Sequence, residues 1–124
     1  MYEYDILAFS ETWLSPEQSF NLHHFQIIRL DGPSIKSGGV TITIRDWIPF
    51  TKIDSIYSIR GQLEAVAIKV EIPTSPIIIV LLSIYRHPGN FDPTIWDNLF
   101  SSIPLPEFLS RFQRSPSFLE LRVF

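Results

Sequence analysis

From Ile77 to Ile84 every residue except Ser83 is aliphatic, and most are β-branched. An apolar run of this kind, without alternation, reads as a strand covered on both faces, because an open face would put isoleucines into water. Whatever this chain builds must therefore place apolar cover on two sides of one strand. The run spans eight residues, far short of the roughly 20 a membrane-spanning helix needs. It opens after the turn residues Ser75-Pro76 and closes in a polar cluster, Tyr85-Arg86-His87-Pro88-Gly89-Asn90.

Other strands are legible around it. Tyr4 to Phe9 is apolar and short, and Phe25 to Leu30 is closed by Asp31-Gly32-Pro33, a strong turn signal. Gly38-Gly39 opens Val40-Thr41-Ile42-Thr43-Ile44, whose alternation describes a half-buried strand. Leu63 to Ile72 alternates similarly and stops at Pro73. One helix is expected from Pro93, with Asp92 as cap and Ile95, Trp96, Leu99, Phe100 and Ile103 at helical spacing; Pro104 and Pro106 end it.

Composition narrows the function classes. With 124 residues, 45% hydrophobic and 19% charged, the chain is one globular domain or part of one. Ten basic against thirteen acidic residues give a net charge of -3, which is not the footprint of a free-standing nucleic-acid binder. Cysteine is absent, which excludes disulfides and thiolate metal sites. Met1-Tyr2-Glu3-Tyr4 lacks the basic start of a secretory leader, so the expectation is an intracellular chain without membrane partners.

Chemistry is concentrated at two strand ends. Glu11, in Glu11-Thr12-Trp13-Leu14-Ser15, follows the first apolar run, and Tyr85 ends the run at Ile77–Ile84. The C-terminal rim of a sheet is where α/β folds usually hold ligands. Asp-Ile-Leu-Ala-Phe-Ser-Glu-Thr-Trp-Leu (5–14), Gly-Gly-Val-Thr-Ile-Thr-Ile-Arg (38–45), Leu-Glu-Ala-Val-Ala-Ile (63–68) and Ser-Ile-Tyr-Arg-His-Pro-Gly-Asn (83–90) together resemble the endonuclease/exonuclease/phosphatase superfamily. The order and spacing are similar to the apurinic-type endonuclease domain of jockey-like non-LTR retrotransposons.

The resemblance implies an α+β fold, roughly the N-terminal half of the superfamily's four-layered α/β sandwich: one mostly antiparallel sheet plus the Pro93 helix. It covers residues 1–109 as a partial domain and leaves 110–124 as a tail diverging from the pattern. It implies metal-assisted hydrolysis of DNA, nicking one target strand to prime reverse transcription. Glu11 takes the place of the Mg²⁺ (or Mn²⁺) ligand and Tyr85 that of a catalytic residue contacting the scissile phosphate. Arg86 and Asn90 are added as DNA-phosphate contacts, Arg by its donor fork. The family's Gly-Asp-x-Asn and Ser-Asp-His motifs do not occur in these residues. The expectation is an inactive fragment, with self-association through an uncovered sheet face. Two readings stand beside it, a non-catalytic β-rich interaction module and a phosphatase or phosphodiesterase of the same superfamily.

The remaining polar residues read as structure. His23 and His24 are adjacent and should point apart on a strand, Glu64 stands where the family resembled commonly has a charged or polar residue near the cleft though an outward strand position explains it as well, and Gly38-Gly39 precedes a strand and so is no phosphate-cradling loop. His87 is a poor candidate for the catalytic base, because the family's base is a histidine near the C-terminus after Ser-Asp and a place on the tyrosine loop does not suit in-line approach opposite the leaving group.

Overall fold

A computed structural model describes residues 4–32, 38–59, 61–72, 77–89, 92–104 and 118–123. The elements are β1 (Ile6–Ser10), β2 (Phe25–Leu30), β3 (Val40–Arg45), β4 (Thr51–Lys52), β5 (Leu63–Ile72), β6 (Ile77–Arg86), α1 (Thr94–Ser101) and β7 (Phe118–Val123). They form two sheets, one ordered β1-β3-β2 and the other β4-β5-β6-β7.

The first sheet is antiparallel, with β3 pairing from Ile6↔Ile44 to Ser10↔Val40 on one side and from Phe25↔Arg45 to Leu30↔Val40 on the other. The central place of β3 explains why it is buried throughout rather than half-buried. Val40, Ile42 and Ile44 face the second sheet, while Thr41, Thr43 and Arg45 are covered by their neighbours on the outer face. Arg45 lies over the rings of Phe25 and Trp47, at 4.4 and 5.2 Å from their centroids.

The second sheet carries the long run. β5 and β6 pair antiparallel over their full lengths, from Leu63↔Arg86 to Ile72↔Ile77, and β7 adds in parallel beside β6. Both faces are covered, as the composition of β6 requires. One face packs Val66, Ile68, Val70 and Leu81 against Ile28, Val40, Ile42 and Ile44 of the first sheet. The other packs Leu63, Ala65, Ala67, Ile78, Val80 and Leu82 against Ile95, Leu99 and Ile103 of the helical segment. Each buried Val, Leu or Ile side chain stabilises by about 1.5–3 kcal/mol.

The helix starts as its sequence suggests. Asp92 Oδ1 accepts the Thr94 N–H at 3.0 Å, and Pro93 already has helical angles, φ -58° and ψ -23°. Ile95, Leu99 and Ile103 turn to the core, while Phe100 stays exposed.

The expected architecture is corrected. The chain is not part of a four-layered α/β sandwich but mostly β, with seven strands and one eight-residue helix among the described residues. Only the stretch after Asp92 has helical periodicity; every other apolar segment alternates or is unbroken, so the layers available are sheets. Two sheets replace the single one expected, and no helix among the described residues covers the outer face of the first. Within the tail, β7 extends the second sheet. No helix among the described residues is long and apolar enough to cross a membrane.

Candidate functional site

The two sheets meet where β1 and β6 end. Ser83 Oγ donates to the Phe9 carbonyl at 3.2 Å, tying β6 to β1. Two residues further along each segment, the Tyr85 hydroxyl donates to Glu11 Oε1 at 2.8 Å, across a sequence separation of 74. The two principal residues singled out from the sequence thus touch. The Glu11 carboxylate keeps the Tyr85 phenol protonated: its hydrogen bond, then partial desolvation, then the charges of Glu11 and Glu64 raise the phenol's pKa above 10.0.

The backbone that presents Glu11 is strained. Glu11 and Trp13 have φ of 51° and 57°, a left-handed conformation that disfavours side-chain-bearing residues by roughly 1–2 kcal/mol each. Neighbours hold it there. Thr12 N–H donates to Gly39 O at 3.4 Å and Trp13 N–H to Gly38 O at 3.1 Å. Further along, Arg29 from β2 donates to the carbonyls of Ser15 and Gln18, both at 2.8 Å, and pairs with Asp31. Strain of this sort persists only where the surroundings over-determine it, and it clusters at functional sites.

Beneath this rim lies a second acid. Glu64 stands opposite Tyr85 in the β5–β6 register and is 0% exposed. Its Oε1 accepts the Gly39 N–H at 3.0 Å and lies 2.8 Å from His87 Nε2, while its buried Oε2 has no hydrogen-bond partner. The His87 ring sits edge-on to the Tyr85 ring, with centroids 4.7 Å apart, and the His87 backbone N–H donates to Gln62 O at 2.8 Å. Gly38 closes the arrangement: at φ +74°, a Cβ there would collide with Glu64 Oε1 and His87 Nε2.

Several sequence expectations are revised. Glu64 is not an outward residue, because β5 has no outward face here; it shares the inward face with Val66, Ile68 and Val70. His23 and His24 do not point apart, since they lie outside any strand with His24 at φ 68°, and their rings are 3.7 Å apart. Gly38-Gly39 serves close packing against Glu64 and Thr12, not phosphate binding. Arg86 is exposed and donates to Gly89 O at 3.4 Å; Asn90 lies outside the described residues.

Among the described residues no three His, Asp or Glu side chains converge to hold a metal ion. The donor set at the rim is one exposed carboxylate with a phenol beside it. Such a set fits a hydrated Mg²⁺ or Mn²⁺, which keeps most of its waters and uses one or two carboxylates, and does not fit a tightly caged ion. The chain matches no family model and no curated protein.

Proposed function

We propose that the rim formed by Glu11 and Tyr85 is the metal- and phosphate-facing part of a DNA endonuclease site that cleaves phosphodiesters. The observation that carries this reading is the 2.8 Å contact between a carboxylate and a phenol delivered by the ends of two different strands. Glu11 would hold a hydrated Mg²⁺ or Mn²⁺, and the bound ion would offset charge on the phosphate. Tyr85, released from Glu11, would donate to a phosphate oxygen, and the exposed Arg86 guanidinium stands one residue further along. Cleavage of a duplex also needs the leaving alkoxide and the attacking water to be managed. The motifs that do so in the family resembled are not among these residues, so the chain alone is expected to leave supercoiled plasmid intact with either ion.

Binding tests the reading directly. A fluorescent DNA oligonucleotide should be captured more tightly with Mn²⁺ than without it, and both Glu11→Gln and Tyr85→Phe should erase that gain. Affinity that is indifferent to Mn²⁺ and unchanged in both variants would favour the β-rich interaction module instead.

A further inference from the structure

We propose that His87, held by Glu64, is the proton acceptor of this rim, an assignment that rests on the phosphodiester reading above. Two observations carry it. Glu64 is wholly buried, a position at which carboxylates are almost never found without partners. With Glu64 ionised, its Oε1 accepts from the Gly39 N–H and from His87 Nε2–H, which lies 2.8 Å away. In that arrangement a neutral ring carries its lone pair on Nδ1, the nitrogen turned away from Glu64. An imidazole oriented through one nitrogen by a carboxylate and basic at the other is the arrangement general-base catalysis uses.

Placement supports the assignment. The ring packs edge-on against Tyr85, whose hydroxyl is on Glu11, so the base, the phosphate contact and the metal-facing carboxylate follow one another along a single rim. Fixity supports it too. The Gly38 backbone has no room for a side chain where Glu64 and His87 meet, so the pair is closely packed. The unpartnered Glu64 Oε2 marks a buried polar atom that packing alone does not explain.

The step balances simply. A water proton passes to His87 Nδ1 as the water oxygen forms a bond to phosphorus. The P–O bond to the leaving group breaks, and its electron pair departs on the leaving oxygen. With 4-nitrophenolate as that group, no acid is needed to protonate it. An activated diester therefore isolates the base from the functions the chain is expected to lack towards DNA.

The test uses the full chain with Mn²⁺ and bis(4-nitrophenyl) phosphate. The wild type should release 4-nitrophenolate above the Mn²⁺ blank, and His87→Ala should lower the rate about 10²-fold, a usual contribution of a general base. Added imidazole should restore part of the loss in His87→Ala and none in Glu11→Gln, a rescue that a merely structural role would not give. Glu64→Gln keeps the shape and should lower the rate less than His87→Ala. Independently, nitrogen-15 spectra at about pH 8, above the ordinary histidine range, should find His87 protonated on Nε2 and bare on Nδ1. Equal rates in wild type and His87→Ala, no hydrolysis while Mn²⁺ still binds at Glu11, or a bare Nε2 would each overturn the assignment and leave the metal-facing reading standing. Hydrolysis that survives Glu11→Gln yet falls in His87→Ala would instead keep the base and remove the metal.

Discussion

The two faces of the second sheet are built from the same strands and end differently. Towards α1 the face is apolar from Leu63 through Ala65 and Ala67 and from Ile78 through Val80 and Leu82. Towards the first sheet it begins the same way, with Val70, Ile68 and Val66, and then turns polar at Ser83, Glu64, Tyr85 and His87. The helix-side face has one task, excluding water. The other holds a buried carboxylate, two adjacent left-handed glycines and two strained non-glycine residues within one small region. Local choices that weaken folding are gathered there and are rare elsewhere, which is the signature expected of a site rather than of a core.

The largest effect should come from the helix-side face. Leu99 and Leu82 are both fully buried, so Leu99→Ala should destabilise by about 2–5 kcal/mol in urea unfolding, the usual range for a buried leucine. It should leave the Tyr85–Glu11 contact intact, as judged by the Tyr85 ring resonances. A loss under about 1 kcal/mol, well below that range, would mean that the helix is not docked as described.

Next comes the glycine clamp. Gly38→Ala meets both an unfavourable φ of +74° and the Glu64–His87 pair, whereas Gly61→Ala at φ +82° meets no atom within 4 Å. The second should lose about 1 kcal/mol from backbone conformation alone. The first should lose visibly more and shift the His87 ring signals. Equal losses would show that nothing is packed against Gly38.

Smaller again is the link across the sheets. Ser83→Ala removes one hydrogen bond to Phe9 O from a side chain that is 1% exposed, and about 0.5–1.5 kcal/mol is expected.

The smallest effect is a titration. Tyr85 should ionise above the ordinary 10.0, because Glu11 accepts its proton's hydrogen bond and opposes a second negative charge. A raised pKa means that the hydrogen bond's contribution to stability is full below the unfolded value of 10.0 and is lost as pH rises through the folded value. Absorbance at the phenolate band should show one tyrosine titrating late in the wild type and earlier in Glu11→Gln. An unchanged midpoint would place Tyr85 away from Glu11.

How much of this was legible in the sequence depended on range. β2 and β5 could be bounded from Phe25–Leu30 and Leu63–Ile72 alone, and Asp92 announced the helix, because period and cap chemistry are local. Glu11 and Tyr85 could be singled out because each ends an apolar strand. Their contact could not be read from spacing, since it depends on how two sheets stack. Thr41 and Thr43 looked outward and are buried, because a central strand has neighbours that alternation does not reveal. The outward reading of Glu64 failed for a similar reason. It shares parity with Val66, Ile68 and Val70, and that parity was the available signal that its side chain points inward. The sandwich expected from the resemblance failed where it needed helices, which the periodicity of this chain does not supply.

The central claim is that Glu11 and Tyr85 form one metal-facing rim, and Mn²⁺ titration followed by paramagnetic line broadening tests it most directly. The wild type should show weak binding, as a single carboxylate allows. Broadening should be centred on Glu11, Tyr85, Gly39 and His87 and leave Leu99 and Ile103 sharp, and Glu11→Gln should remove it. Broadening of equal strength in wild type and Glu11→Gln, or centred on other acidic residues, would contradict the account.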